Sequence, residues 1–197
     1  MLHGLIDFLY PAQCAGCDAL GSGLCARCLP QNEGAVRRLP TLRVRALGEY
    51  DAVLRRAVLA LKDGRRDVAQ ALGERLSLLA ASGTILVPVP TTNARRRARG
   101  FDGVVAMASI AARASGAAII AALATVGTDA QRGRDRSERL AGRGRFRASS
   151  LVEGAQVILV DDVCTTGATL EDCARALRTA GANVSQAFVV AIANGTA

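Results

Sequence analysis

Side chains that stack on nucleic-acid bases are scarce in this sequence. Its 197 residues include no tryptophan, two tyrosines and four phenylalanines. This composition argues against aromatic stacking as a main way of binding nucleic acid. The single histidine, His3, lies outside every cluster described below and is interpreted as incidental. Lysine is equally rare, since Lys62 stands alone beside 24 arginines, a bias that we attribute to base composition.

Long hydrophobic runs are also missing. The longest nearly apolar stretch, Gly116 to Val126, is too short for a bilayer, which needs about 20 residues. The first residues, MLHGLIDFLYPAQC, have no lysine or arginine before their apolar run, and Asp7 interrupts it, so no signal peptide is predicted. We therefore expect no membrane insertion and a cytoplasmic location. Half of the residues are hydrophobic, which suits one globular domain plus a small additional piece.

Acidic residues are outnumbered, 17 against 25 basic ones, which gives a net charge of +8. Eleven of the arginines form two clusters, four over residues 95–99 and seven over residues 132–147. Such clusters suit phosphate-bearing partners, although a solvated loop would also explain either cluster alone.

Four of the six cysteines follow the pattern C-x2-C-x7-C-x2-C. They are Cys14, Cys17, Cys25 and Cys28. Each pair can bend round one ion, and four thiolates complete a closed, tetrahedral Zn²⁺ site of the structural kind. Two disulfides or a redox-active pair are the alternatives, but a cytoplasmic chain disfavours disulfides and two close pairs favour metal.

Strand-like and helix-like segments alternate through the rest of the chain. This order predicts an α/β domain with a mostly parallel sheet flanked by helices. We expect a cysteine module over 1–32, a linker over 33–42 and the α/β domain over 43–197, with a structureless loop over 127–150. Strands are predicted over 43–50, 84–90, the middle of 117–126, 155–162 and 184–193, and helices over 51–62, 67–81, 102–115 and 167–180.

The segment VILVDDVCTTGATL, residues 157–170, carries the strongest functional signal. Asp161 and Asp162 end an apolar strand, where ligands of open parallel sheets bind. The following turn, with Gly167 and three threonines, leads into a helix whose first amides can hold an anion. Carboxylates suit ribose hydroxyls or Mg²⁺, so a ligand that carries both ribose and phosphate would explain both the acid pair and the turn. A helix cap explains only the turn and a solvated acid explains only the acid pair. No Walker A sequence is present.

This segment closely resembles the phosphoribosyl-pyrophosphate motif of type I phosphoribosyltransferases. The resemblance implies that Asp161 and Asp162 hold the ribose hydroxyls and that the following loop wraps the 5′-phosphate. The implied substrate-binding residues of that loop are Val163, Cys164, Thr165, Thr166, Gly167, Ala168 and Thr169.

The order of the other motifs resembles the ComF/GntX subfamily. It runs from the four-cysteine finger through ALKDG, VPVP and RRRARGFD to the arginine-rich loop. The resemblance implies a pyrophosphate-binding segment with Thr91, Thr92, Arg95 and Arg99, and a lid loop over 127–147 that contains Gln131 and Arg139. Asp102 and Gly142 depart from the common pattern, in which both positions are usually asparagine.

We therefore expect a phosphoribosyltransferase that uses phosphoribosyl pyrophosphate and Mg²⁺, carries structural Zn²⁺ and acts on an unknown acceptor. Asp161, Asp162, Arg95 and Arg99 are the candidate catalytic residues. The alternative is a non-catalytic protein that senses a ribose phosphate or binds single-stranded DNA, since the resemblance links the family to DNA uptake during competence. A DNA-uptake partner protein and a homo-oligomer are further expectations.

Overall fold

A computed structural model describes residues 11–31, 34–91, 100–126 and 144–193. Six strands form one sheet in the order β1-β2-β8-β7-β3-β4, and β5 and β6 form a separate antiparallel pair. The strands are β1 Val36–Arg38, β2 Arg43–Glu49, β3 Ile85–Pro88, β4 Ala118–Ile119, β5 Leu123–Thr125, β6 Phe146–Ala148, β7 Gln156–Cys164 and β8 Asn183–Ile192. The helices are α1 Ala52–Lys62, α2 Arg66–Ser77, α3 Gly103–Ser115 and α4 Ala168–Thr179.

The main sheet is parallel apart from β1, which pairs antiparallel with β2. The predicted fold class, a mostly parallel sheet flanked by helices, is confirmed. The central strands β7 and β8 have consecutive buried residues, such as Leu159 with Val160 and Val189 with Val190, which is typical of strands covered on both faces. Leu61, Leu72 and Met107 pack on one face from α1, α2 and α3, and Leu170 and Leu177 pack on the other from α4.

Two helices begin at aspartates whose side chains cap the first turn. The Asp51 carboxylate accepts the Leu54 amide at 2.8 Å and starts α1. The Asp102 carboxylate accepts the Val105 amide at 3.2 Å and starts α3. Asparagine and aspartate cap helices equally well, so the departure from the family pattern at residue 102 preserves this cap.

The expected linker over 33–42 is wrong for residues 36–38, which form edge strand β1. The Val36–Arg45 pairing fixes its register. The turn that follows is bound to α4, because the Thr41 amide and hydroxyl donate to the Glu171 carboxylate at 2.9 and 2.5 Å. Hydrophobic patterning could not reveal this strand, since it is short and exposed at alternate positions. The other predicted domain boundaries stay predictions.

Residues 117–126 form two short strands rather than one, with β4 in the main sheet and β5 paired with β6. The predicted structureless loop therefore ends before residue 146 and not at residue 150. Buried Asp172 of α4 accepts the amides of Gly144 and Arg145 at 3.2 and 3.3 Å, which fixes the chain where it enters β6. Within the described ranges, no helix combines the length and the apolar character needed to cross a membrane.

Candidate functional site

The two adjacent aspartates lie near the carboxyl end of β7, at the centre of the sheet. Residue 161 pairs with Val189 of β8, and the strand continues to Cys164, two residues beyond the predicted end. Both aspartates are half-buried. Asp161 Oδ1 accepts the amide of Asp162 at 2.8 Å, which orients its carboxylate along the chain. Two carboxyl groups are thus held at the edge where open parallel sheets bind ligands.

Asp162 has a basic partner from a distant part of the chain. The Lys62 ammonium, at the end of α1, lies 3.0 Å from Asp162 Oδ2. The Asp162 side chain is only 16% exposed, so this ion pair is partly shielded from water. Sequence reasoning assigned Lys62 no role. Its place in the ALKDG segment, which the family resemblance already pointed to, was the available signal.

The neighbouring carboxyl groups influence each other. Burial raises the pKa of Asp161 to about 8, and repulsion from the Asp162 carboxylate adds to this rise. The amide of Asp162 and the Lys62 ammonium act in the opposite direction. Placing Asp161 here therefore costs folding free energy whenever the group is ionised, which is common where residues are arranged for binding rather than for stability.

Three other segments meet beside Asp162. A small cleft of about 20 Å³ is lined by Lys62, Thr91, Phe101, Gly103 and Val104, together with Leu61. These residues come from the end of α1, the segment after β3 and the start of α3. The structure thus brings Thr91, which was predicted to bind pyrophosphate, to the same cleft as Asp162.

The turn from β7 into α4 has the features of an anion-binding loop. Gly167 adopts a left-handed conformation with φ of 81°, and α4 begins at the next residue. Thr165 and Thr166 are exposed, and the Ala168 amide donates to Thr166 Oγ1 at 3.3 Å. Exposed hydroxyls beside the first amides of a twelve-residue helix can bind a phosphate.

The β1–β2 hairpin supports this loop. A Cβ atom at Gly167 would lie 2.5 Å from Leu39 Cδ1, so a larger residue would require that side chain to shift. Arg37 Nη1 donates to the Thr165 carbonyl oxygen, and Nη2 donates to that of Ala193 at 3.0 Å. Sequence reasoning missed Arg37 and Leu39 because both lie in the expected linker.

The remaining predicted site residues divide into two groups. Cys164 faces the core, and burial raises the pKa of its thiol, which argues against a reactive cysteine. Val163 is half-buried in β7, and Ala168 and Thr169 lie in the first turn of α4. The other predicted site residues lie outside the described residues, as does Gly142, and they are Thr92, Arg95, Arg99, Gln131 and Arg139.

A larger cavity, of about 520 Å³, lies between β6 and α4. Its lining includes Phe146, Asp172 and Arg175. The Asp172 carboxylate already forms ion pairs with Arg145 and Arg175 and accepts backbone amides. Among the described residues that line this cavity, Asp172 is the only acid, and it is already engaged within the protein.

The four clustered cysteines come together in space. All four sulfur atoms lie within 4.8 Å of one another, and Cys17 Sγ is 3.6 Å from Cys25 Sγ. Tetrahedral Zn–S bonds of about 2.3 Å place sulfurs about 3.8 Å apart, so the spacing fits one ion. Burial raises the pKa of the Cys14 thiol, but the amides of Cys25, Cys17 and Gly16 outweigh this and lower it to about 6. All six cysteines of the chain are free of disulfides.

The cysteine segment packs on the helical face of the domain. Cys14, Ala15 and Leu24 are buried in the same core as Leu54 and Val68. Arg56 of α1 donates to the Gly16 carbonyl at 3.1 Å and pairs with Asp18 at 2.5 Å. A metal bound here would therefore hold a loop segment against α1 and α2, far along the chain from the strand-end acids.

Comparison with known proteins places these features in context. The family model for the phosphoribosyl transferase domain matches residues 56–196. A stretch of 94 residues is 34% identical to the competence protein ComFC of Bacillus subtilis and covers 47% of this chain and 38% of that protein. Another of 47 residues is 45% identical to the orotate phosphoribosyltransferase of Bartonella henselae and covers 24% of each chain. The chain thus spans well under half the length of these relatives.

Among solved structures, a phosphoribosyltransferase from Corynebacterium diphtheriae is 22% identical, with a TM-score of 0.37 over 71% of this chain and 67% of that one.

The family predicted from the motifs is confirmed by the family model, which spans more than two thirds of the residues and includes β7, the acids and the loop before α4. The similarity to ComFC agrees with the ComF-type resemblance. The chain therefore belongs to the phosphoribosyl transferase domain family.

Proposed function

We propose that this protein binds phosphoribosyl pyrophosphate together with Mg²⁺ and transfers the phosphoribosyl group to an acceptor. The observation that carries the proposal is the position of Asp161 and Asp162 beside the loop that opens α4. Carboxylate oxygens accept hydrogen bonds from ribose hydroxyls, and the loop offers amides and threonine hydroxyls to the 5′-phosphate. One ligand then spans both halves of the site.

The acid pair also suits a divalent cation. Mg²⁺ is commonly held by one or two carboxylates together with substrate phosphates. Asp162 Oδ2 already takes a cation as its partner, the Lys62 ammonium at 3.0 Å. Bound here with pyrophosphate, Mg²⁺ would supply positive charge to the leaving group.

The chain's own residues would orient the sugar and stabilise charge during transfer. The anomeric carbon becomes cation-like as its bond to pyrophosphate breaks, and the negative carboxylates near the ribose favour that state. The 5′-phosphate, held at the start of α4, would fix the ribose against them. Arg95 and Arg99 on the leaving group, and Gln131 and Arg139 in a lid that excludes water, are proposed from the family resemblance.

The four-cysteine cluster is proposed to hold one structural Zn²⁺. Four thiolates complete its coordination, so no position is left for substrate. The bound ion would replace the hydrophobic core that so short a segment cannot build.

A second function has its own support. The net charge of +8 and the similarity to a competence protein favour a non-catalytic sensor of ribose phosphates or a protein that binds single-stranded DNA. A cytoplasmic location, a DNA-uptake partner and a homo-oligomer remain proposals of the same kind.

A melting experiment tests the principal proposal. Millimolar phosphoribosyl pyrophosphate with Mg²⁺ should raise the melting temperature of the wild-type protein by mass action. Asp161→Asn and Asp162→Asn should lose this shift, whereas Glu153→Gln, an exposed acid before the opposite end of β7, should keep it. Release of pyrophosphate in the presence of candidate acceptors then measures transfer.

The outcomes separate the two functions. An unchanged melting temperature at millimolar ligand would overturn the principal proposal. Tight, salt-sensitive binding of single-stranded DNA that survives both aspartate substitutions would support the second function instead.

A further inference from the structure

The only lysine of the chain lies at the candidate site. The sequence has 24 arginines and one lysine, Lys62. The last turns of α2, α3 and α4 contain Arg75, Arg113 and Arg178, and only the last turn of α1 contains lysine. Any cation interacts favourably with a helix carboxyl end. In a chain that uses arginine at equivalent positions, the lysine indicates that residue 62 has a further requirement.

That requirement is visible in the surroundings of Lys62. Its ammonium is 3.0 Å from Asp162 Oδ2, and the side chain is 36% exposed, so it can be reached from solvent. It lines the small cleft with Thr91 and Phe101. The cation is therefore directed to the place where the ribose and the leaving group are proposed to bind, rather than outward from the helix end.

The space around Lys62 favours a compact cation. The end of α1 and the start of α3 are in close contact, since a Cβ atom at Gly103 would lie 2.7 Å from Leu61 Cγ. The cleft beside them is only about 20 Å³. A guanidinium is broad and planar, whereas an ammonium is a point charge on a flexible stem that can redirect its three donors. Arginine at residue 62 would not reproduce these contacts.

We propose that Lys62 is a substrate-binding residue, which holds the Asp162 carboxylate in the free protein and donates to an anionic oxygen of the bound ligand. The inference rests on the proposed function and assigns it one more residue. When ribose hydroxyls or Mg²⁺ engage Asp162, the ammonium shifts within the cleft to the ligand's pyrophosphate or to an anionic acceptor.

The ion pair also keeps the acids ready to bind. Asp161 and Asp162 repel each other, and Lys62 lies close enough to offset part of that repulsion. Loss of Lys62 should therefore weaken ligand binding twice, through the lost contact and through the uncompensated repulsion between the two acids.

Two substitutions test the inference through ligand affinity. Lys62→Met should raise the Kd for phosphoribosyl pyrophosphate with Mg²⁺ at least tenfold, and Lys62→Arg should not restore it. Arg113→Met removes an exposed cation from the last turn of α3 and should leave the Kd unchanged. Circular dichroism and melting of each free variant check that it is folded.

Chemical labelling gives a second readout on the wild-type protein. Because Lys62 is the only lysine, an amine-acetylating reagent modifies its side chain and the chain's α-amine, and peptide masses distinguish them. Ligand with Mg²⁺ should slow acetylation of Lys62 at least tenfold and leave the α-amine unaffected.

The results distinguish failure of the inference from failure of the proposed function. Wild-type affinity in Lys62→Met, or full rescue by Lys62→Arg, would overturn the inference. The proposed function would survive that result if ligand binding still depends on Asp161 and Asp162. A wild-type protein that neither melts higher with ligand nor protects Lys62 would overturn both.

Discussion

The cysteine cluster and the strand-end site differ in how the chain builds them. All four thiols come from residues 14–28, and their amides and sulfurs contact one another. The acid site combines residues from α1, β7, the start of α3 and the β1–β2 hairpin. A local cluster can be predicted from spacing alone, whereas a site assembled from distant segments shows only its most compact motif in the sequence.

The two regions also differ in what they contribute to folding. A metal held by four thiolates stabilises the native state, because the unfolded chain offers no preformed site. Asp161 destabilises the native state when it is ionised, because its carboxyl group is placed beside a second carboxylate in a partly buried position. Substitutions should therefore have opposite effects on stability in the two regions, and the predictions below test this contrast.

Loss of a metal ligand should have the largest effect. Cys14→Ser should reduce the metal content below one ion per chain and lower the free energy of unfolding by more than about 4 kcal/mol, because Cys14 is both a proposed ligand and fully buried. Metal analysis and melting with and without a chelator measure this.

A cysteine outside the cluster provides the control. Cys173→Ala removes a buried thiol from α4 and should cost about 1 kcal/mol without any change in metal content. Freshly reduced wild-type protein that contains no metal would refute the zinc proposal. Equal destabilisation by Cys14→Ser and Cys173→Ala would show that the clustered cysteine contributes no more to stability than a buried cysteine elsewhere.

The sequence predicts most of the fold because the strands and helices have clear periodicity and end signals. Helix α1 matches the helix predicted over 51–62, and β7 and β8 overlap the strands predicted over 155–162 and 184–193. It does not predict β1, whose three residues alternate exposed and half-buried, or the division of residues 117–126 into two strands. Short edge strands depend on partners distant in sequence, and local patterns do not reveal them.

The same reason limits prediction of the site. Asp161, Asp162 and Gly167 could be identified because one strand, one turn and one helix place them within seven residues. Arg37 and Lys62 could not be assigned a role, because their partners are 128 and 100 residues away. Only the topology, which puts β1 and the end of α1 near the β7–α4 turn, brings these cations to the site.

The turn before α4 should show an intermediate effect. Gly167→Ala should lower the free energy of unfolding by about 2 kcal/mol, because alanine is strained at φ of 81° and its Cβ would meet Leu39. It should also weaken binding of the 5′-phosphate. Urea denaturation and ligand titration measure the two effects separately.

A double-mutant cycle separates the two causes of that loss. Leu39→Ala makes room for the new methyl group, so the cost of Gly167→Ala should be smaller in the Leu39→Ala background. Additive effects would show that the Leu39 contact contributes nothing and that backbone strain accounts for the whole loss.

The smallest effect, taken per pH unit, concerns pH and has the opposite sign from the first. Asp161 has a folded-state pKa of about 8, well above the value near 3.9 of an unfolded chain. Between these values the folded protein binds more protons, so this group's contribution to stability falls as pH rises, by at most about 1.4 kcal/mol per pH unit. The Asp161→Asn variant has no titrating group at this position. Its free energy of unfolding, relative to that of the wild type, should therefore increase as the pH rises to about 8. Urea denaturation of both proteins across this range measures the difference. Parallel stability curves would mean that Asp161 is ionised at no cost, and the contrast with the cysteine cluster would then be lost.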